Sequence, residues 1–213
     1  MKLIDMEVKR FIQEIDSKSP APGGGSVSAL SATLGVALTK MVGHLSVEKK
    51  KFLALDPAIQ IQFHQIMKSL DTIKEDLYPL IDQDTDAFNL IMQAFGLPKS
   101  TDDEINHRNQ KIEAGTIEAI RVPSEVAKMA LKAMVHLPFV IKYGNRQTAS
   151  DLGVAALMLA SGIEGACLNI SINLPGLSDK KKVEEYRNHV KTWVEQATRI
   201  KSEVLELVYA KIA

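Results

Sequence analysis

The segment SPAPGGGSVSALSATLGVALTKMVGHL, Ser19 to Leu45, places three consecutive glycines directly before a long run of small and apolar residues. Prolines and glycines in this density are typical of a loop. After them, large apolar residues recur at steps of three and four, which is the spacing of one helix face. We therefore predict a helix from about Gly25 to Leu45, with a core-facing stripe formed by Val27, Leu30, Leu34, Leu38, Met41 and Leu45.

Two further lines of residues run along the same predicted helix. The first contains only small residues, which allow another backbone to approach closely: Gly25, Ser28, Ala32, Gly35 and Thr39. The second is polar, and its members lie within about 40° of one another at 100° per residue: Ser26, Thr33, Lys40 and His44. Two interpretations of Lys40 and His44 are open: they reach solvent near the helix end, or they belong to a functional site.

Helical periodicity continues through nearly the whole chain, and no segment alternates like a strand. We predict a first helix over Asp5–Ile15, a long one over Pro57–Phe95 that Pro79 kinks or splits, and one capped by Thr101 or Asp102 that ends near Ile120. Further helices are expected from Pro123 to about Pro138, over Gln147–Asn173, and from a cap at Ser178 or Asp179 to the C-terminus. The prediction is one all-α domain, residues 1–213, of about eight helices.

Composition excludes several classes of function. The 26 basic residues balance 26 acidic ones and aromatics are only 5%, so neither the charge nor the stacking platform of a nucleic-acid-binding protein is present. The single cysteine, Cys167, cannot form an intrachain disulfide and fits a reducing compartment. The longest nearly uncharged run, Gly23 to Thr39, falls short of a membrane span. We expect a cytoplasmic protein without a nucleic-acid or membrane partner.

Three polar segments are candidates for a site. LIDQDTDAF contains Asp82, Asp84 and Asp86, EKKKF is a short basic run, and the helix beginning near Gln147 has Asp151 and Asn169 on one small-residue face. Each segment is equally explained by a solvated surface or by helix packing. The histidines are scattered and no HExxH, GxSxG or paired CxxC motif occurs, so there is no signature of a metal site or an activated nucleophile.

The chain resembles the cyclodeaminase/cyclohydrolase family of folate enzymes. The matching segments occur in the family's order and cover nearly the whole chain: PAPGGGSVSAL, MVGHLS with KKKF, LIDQDTDAF, LPK, GNRQTASDLGVAA and GACLNISINL. The resemblance implies an all-α homodimer that binds folate in a groove between helices and subunits. It implies chemistry at the carbon that bridges nitrogens 5 and 10, with a tetrahydrofolate derivative as substrate and neither a metal nor a redox cofactor.

The resemblance also implies roles for individual residues. Asp151 and Asp84 are the expected catalytic carboxylates, with Asp151 as the acid/base or orienting group. The expected substrate-binding residues are Gly23, Gly24, Gly25, Ser26, Lys49, Lys50, Asp82 and Asn145. Within this set the glycine amides approach the substrate closely, an aspartate binds the pterin donors, and the two lysines meet the glutamate carboxylates of the folate.

The reaction itself stays open at this point. A cyclodeaminase converts 5-formiminotetrahydrofolate to 5,10-methenyltetrahydrofolate and ammonia, whereas a cyclohydrolase hydrolyses the methenyl compound to 10-formyltetrahydrofolate. The absence of a formiminotransferase half favours the cyclohydrolase, and the similarity to the vertebrate domain favours the cyclodeaminase. A non-catalytic helical dimer that binds a folate or another anion, and a purely structural bundle, are the alternatives to an enzyme.

Overall fold

The computed structural model describes residues 1–213, and the all-α prediction is confirmed. No β-strand is present, and short 3-10 helices cover Leu3–Asp5, Arg146–Thr148 and Leu174–Gly176. The eight α-helices, one of them a single turn, are α1 Val8–Ile15, α2 Gly24–Val47, α3 Lys50–Leu53, α4 Pro57–Phe95, α5 Asp102–Met134, α6 Leu137–Tyr143, α7 Ala149–Asn173 and α8 Lys180–Ile212.

The predicted helix start at Pro123 and the predicted split at Pro79 are wrong, whereas a kink at Pro79 stays a prediction. Pro79 lies inside the 39-residue α4, and Pro123 lies inside the 33-residue α5. A proline removes one backbone hydrogen bond and crowds the preceding turn, but the effect is local. Buried side chains on both sides of Pro79, such as Leu77 and Leu80, hold α4 on the core through this point. Tertiary packing therefore outweighs the local penalty.

The predicted helix caps are largely confirmed. Thr101 and Glu104 form a reciprocal capping box at the start of α5, in which each side chain accepts from the other residue's backbone amide. Asp179 accepts from the amides of Lys181 and Lys182 and so begins α8. At Gly23, by contrast, α2 begins without a side-chain cap, which leaves its first amides available to a distant partner.

Helices α2 and α7 form the centre of the fold, and they pack through their small residues. A Cβ built on Gly162 of α7 would lie 2.9 Å from the backbone nitrogen of Ala32, so this contact requires glycine. Ser31 donates to the carbonyl of Met158 at 2.8 Å, and Gly24 faces the amide of Asn169. These contacts show that α2 and α7 run antiparallel.

The predicted core stripe of α2 is correct for half of its residues. Leu30, Leu38 and Met41 pack against the core. Val27, Leu34 and Leu45 are instead 40 to 47% exposed, whereas the small-residue line from Gly25 to Thr39 is buried. Close approach of α7 buries the small face, and α4 covers the adjacent polar line, so that part of the apolar stripe is left on the outside.

Helix α7 also exposes apolar side chains, including Val154, Leu157, Leu168 and Ile172. The α2 helix and the segment Arg146–Gly176 are both long and apolar enough to cross a membrane, by length and composition alone. Within their most apolar 18-residue windows, 61% and 56% of the residues are buried in the protein. Core helices of water-soluble proteins pass the same test, so this observation decides nothing by itself.

Candidate functional site

The start of α2 and the middle of α4 form the first part of the candidate site. Asp84 of α4 accepts a hydrogen bond from the backbone amide of Ser26 at 3.0 Å and a longer one from its hydroxyl at 3.4 Å. The Ser26 hydroxyl also lies 3.3 Å from the hydroxyl of Thr85. A carboxylate beside the amino end of a helix is favoured by the free amides and by the helix dipole.

Gly25 makes this arrangement possible. A Cβ at position 25 would overlap the carboxylate of Asp84, so any other residue would displace either the aspartate or the helix. Glycine is therefore required at position 25, the third residue of the glycine run, by the close approach of Asp84. The Gly23–Ser26 segment, together with Asp84 and Thr85, is called the glycine-turn site below.

Asp84 has an unusual protonation equilibrium for a carboxyl group. Burial raises the pKa of Asp84, and the hydrogen bonds from the amide and hydroxyl of Ser26 oppose that rise without cancelling it. A carboxyl group with a raised pKa, held beside backbone donors, is a candidate for proton transfer or for binding a polar donor. The expected role of Asp84 at the site therefore agrees with its surroundings.

Asp82 has a different environment from the one we expected. Its carboxylate accepts from the backbone amides of Leu3 at 2.6 Å and Ile4 at 3.4 Å. It holds the N-terminal 3-10 helix on α4 and lies on a different face of α4 from Asp84. Within this structure Asp82 is a partner of the chain's own backbone, and its predicted role in substrate binding finds no support in the geometry.

The far end of α2 borders a groove with a volume of about 980 Å³. The predicted residues Lys49, Lys50 and Asn145 all line it. The groove contains six cationic residues and no carboxylate; the other four cations are Lys51, Lys142, Arg146 and Lys211. This basic groove is suited to a ligand with negative charge.

Local hydrogen bonds shape the basic groove. The backbone amide of Asn145 donates to the hydroxyl of Ser46 at 2.8 Å, and its side-chain amide donates to the carbonyl of Leu45 at 3.3 Å. Arg146 donates to the carbonyl of Lys211 at 2.9 Å, and the ammonium of Lys211 donates to the carbonyl of Ile141. Burial, and secondarily the charge of Arg146, lower the pKa of Lys211.

Asp151 lies near the basic groove and not near Asp84. It is half-buried in the first turn of α7, six residues after Asn145. Asn169, which faces Gly24 at the glycine-turn site, is about 27 Å further along α7. One protomer therefore brings Asp84 together with Ser26 and Gly25, and places Asp151 with Asn145, Lys49 and Lys50 at the opposite end of the α2–α7 pair.

Sequence reasoning missed several members of these two regions. Thr85 at the glycine-turn site follows Asp84, and helical projection could have found it. Asn169 was among the sequence candidates, but it faces Gly24 and is separated from Asp151. Arg146 and Lys142 in the basic groove are sequence neighbours of Asn145. Lys211 comes from the end of α8 and carries no local signal. His44 is exposed, but Lys40 is buried and paired with Asp71, so the solvent interpretation of Lys40 is wrong.

A second cavity, of about 260 Å³, lies between α5 and α8 and is lined by Tyr186, His189 and Trp193 among others. It contains none of the predicted site residues. No group of three or more His, Cys, Asp or Glu side chains is arranged to hold a metal ion. Burial raises the pKa of Cys167 to about 12, with a smaller effect from Glu164, so its thiol is protonated at neutral pH.

Comparisons with known proteins match almost the whole chain. Residues 7–208 match the family model described as formiminotransferase-cyclodeaminase. The chain is 30% identical to a methenyltetrahydrofolate cyclohydrolase of Methylorubrum extorquens over 96% of its own length and 97% of that protein. It is 34% identical to the formimidoyltransferase-cyclodeaminase of Gallus gallus, over 97% of the chain but only 37% of that longer protein.

A solved structure shares the fold. The formiminotetrahydrofolate cyclodeaminase of Thermotoga maritima superposes with a TM-score of 0.76, covering 97% of this chain and 96% of that one at 23% sequence identity. The family match covers almost all of the residues that form α1 to α8 and both regions of the candidate site. The chain therefore belongs to the formiminotransferase-cyclodeaminase family.

Proposed function

We propose that this protein is a folate one-carbon enzyme that acts at the carbon between nitrogens 5 and 10 of tetrahydrofolate. The observation that carries the proposal is the half-buried Asp84, held against the amide of Ser26 where Gly25 leaves room for it. Relatives named as a methenyltetrahydrofolate cyclohydrolase and as formimidoyltransferase-cyclodeaminases support the substrate class. Their two reactions proceed through the same tetrahedral carbon.

The chemistry requires proton transfer to and from nitrogen and oxygen. In hydrolysis, water adds to the methenyl carbon, the bond from that carbon to nitrogen 5 breaks, and 10-formyltetrahydrofolate and a proton are released. In cyclodeamination, nitrogen 10 adds to the formimino carbon and ammonia leaves. A carboxyl group with a raised pKa exchanges protons closer to neutral pH, which suits Asp84 to either task. Asp151 is proposed as the second acid/base or orienting group.

A homodimer would bring the two halves of the site together. The exposed stripe of α2, from Val27 to Leu45, is nearly symmetric about Val36 in its spacing. If two α2 helices pack antiparallel about this centre, the Gly23–Ser26 segment of one protomer lies beside Ser46 and Lys49 of the other. A two-fold axis makes such a contact self-complementary. The dimer would also cover apolar side chains that are exposed in one chain.

In the proposed dimer, the remaining predicted residues contribute to the same site from two protomers. Asp84 and the glycine amides would come from one protomer, and Asp151, Asn145, Lys49 and Lys50 from its partner copy. The basic groove would then meet the glutamate carboxylates, whereas the glycine turn would meet the pterin. We propose no redox cofactor, because neither reaction changes an oxidation state, and no metal, because no group of three or more His, Cys, Asp or Glu side chains is arranged to hold one. Dialysis against a chelator is expected to leave turnover unchanged.

Two assays on the purified protein test the proposed function. The first follows the loss of 5,10-methenyltetrahydrofolate absorbance, against the uncatalysed rate in the same buffer. The second follows ammonia released from 5-formiminotetrahydrofolate. Methenyl hydrolysis alone identifies a cyclohydrolase, and ammonia release identifies a cyclodeaminase. If neither rate exceeds the uncatalysed rate, the proposed function is wrong, whereas full turnover by Asp84→Asn would remove only the role of Asp84.

A further inference from the structure

Lys40 is the only charged residue among the buried residues of the chain, with 8% of its surface exposed. Its ammonium donates to one carboxylate oxygen of Asp71 on α4, whose side chain is 52% exposed. The ammonium of Lys74 lies 4.0 Å from the same oxygen. His44 follows Lys40 by one helical turn, and these groups together lower the pKa of Asp71, with the Lys40 hydrogen bond as the largest cause. Two ammonium groups thus lie at one carboxylate oxygen.

The packing of α2 on α4 does not require this arrangement. The two helices are already joined by the Ser26–Asp84 hydrogen bonds, and Gly43 of α2 contacts Met67 of α4 closely. An ion pair with one exposed partner contributes little to stability, and an apolar replacement of a buried charge is often neutral or stabilising. A methionine at position 40 would serve the helix contact equally well.

Lys40 lies on the same side of α2 as Ser26 of the glycine-turn site. Ser26 and Lys40 lie on the same line of α2, about 21 Å apart. Lys49 and Lys50 follow the far end of α2, whose 24 residues span about 36 Å. A folate with one glutamate is shorter than this helix, so within one protomer it cannot extend from the glycine turn to Lys49.

We propose that Lys40, together with Lys74, binds a carboxylate of the substrate, and that Asp71 is the counter-ion this carboxylate displaces. The inference rests on the proposed function for the identity of the substrate. It places the carboxylates of the first glutamate between α2 and α4, and leaves the basic groove for the further glutamates of a polyglutamate tail. An ammonium and a carboxylate form a strong, charge-assisted hydrogen bond, and Lys74 supplies a second ammonium to the same ligand.

The test compares two ligands by calorimetry, tetrahydrofolate and tetrahydropteroate, which lacks the glutamate. For Lys40→Met we expect the dissociation constant of tetrahydrofolate to rise about tenfold, with that of tetrahydropteroate unchanged. The melting temperature of Lys40→Met should equal or exceed that of the wild type. Lys68→Met, which alters an exposed lysine of the same α4 helix, is the matched control and should change neither constant.

A second variant, Asp71→Asn, is expected to strengthen the binding of tetrahydrofolate. Asp71→Asn removes the competing carboxylate, so tetrahydrofolate should bind several-fold more tightly even though Lys40 loses its partner and the protein is less stable. A pair with only a structural role would weaken both ligands in both variants, and that result overturns the inference. An effect found solely in Lys49→Ala and Lys50→Ala overturns it as well.

The outcomes separate this inference from the proposed function. If the wild type turns over a folate substrate but Lys40→Met binds tetrahydrofolate normally, the Lys40 site is wrong and the proposed function stands. If the wild type binds neither tetrahydrofolate nor tetrahydropteroate, both proposals fail. If tetrahydrofolate binding depends on Lys40 but no turnover occurs, the site stands and the catalytic proposal fails.

Discussion

At the scale of single residues, the structure gives three different surroundings to Asp82, Asp84 and Asp151, which the sequence had all made site candidates. Asp82 binds backbone amides of the N-terminal segment, Asp84 faces the glycine turn, and Asp151 begins α7. Only Asp84 combines burial, a raised pKa and contact with a helix amino end. This combination makes it the residue whose substitution is most informative.

Asp84→Asn is expected to reduce turnover by at least a hundredfold, because an amide cannot transfer the proton. It should also raise the melting temperature at neutral pH. The folded-state pKa of Asp84 is raised, so its contribution to stability is greatest at low pH and is lost as the pH rises through that pKa. Thermal unfolding at several pH values checks this. A stability difference that does not shrink with acidification contradicts the assignment.

Asp151→Asn is expected to lower turnover as much as Asp84→Asn does. It should change the melting temperature no more than a typical surface substitution does. The reason is that Asp151 lies half-buried in the first turn of α7, and an amide is compatible with that position. Ser150→Ala, at the exposed neighbouring residue, is the control. Full turnover by Asp151→Asn would exclude Asp151 from the chemistry.

At the scale of elements, the glycine turn is both a helix start and a contact between helices. Gly25→Ala is expected to push Asp84 away from Ser26, with a loss of about 1–3 kcal/mol in unfolding free energy and most of the activity. Gly96→Ala, outside both regions of the candidate site, is the control, because its Cβ would lie 3.4 Å from the carbonyl of Gln93 and its backbone φ of −78° suits any residue. Chemical denaturation and the turnover assay check both variants. Equal behaviour of the two would contradict the close-approach argument.

The elements also show where helical periodicity is insufficient. It placed α2 and α7 within a few residues of their observed bounds, but it assigned to the core three exposed residues of α2, Val27, Leu34 and Leu45, and missed the burial of the small-residue face. The error has a physical cause, since hydrophobic size predicts burial only when a helix has one buried face. In α2 the small residues allow α7 to approach so closely that backbone contact replaces large side chains in the core.

At the scale of the whole molecule, the separation of Asp84 from Asp151 predicts a dimeric enzyme. We expect the wild type to elute as a dimer in size-exclusion chromatography with light scattering. Leu34→Glu, near the centre of the exposed α2 stripe, should give a folded monomer with little turnover, because a charge on this face opposes apolar association. Val8→Glu, on the exposed face of α1, is the control. An active monomer would contradict the shared site.

Mixing two inactive variants tests the shared site directly. If each site takes Asp84 from one protomer and Asp151 from the other, a mixed dimer of Asp84→Asn with Asp151→Asn contains one intact site. Co-refolded equal amounts should recover about one quarter of wild-type turnover, because half of the dimers are mixed and each has one of two sites. No recovery would place both carboxylates of a site in the same protomer.

The sequence alone determined the all-α class, most helix bounds and caps, and membership of the family, because periodicity, capping residues and ordered motifs are local signals. It also identified Asp84 and the glycine turn, although not that they touch. Only the tertiary structure decided that Asp82 holds the N-terminus, that Lys40 is buried against Asp71, and that the predicted site residues divide between the two ends of α2. These facts depend on which faces of distant helices meet, and that is set by packing of the whole chain, not by the periodicity of any one segment.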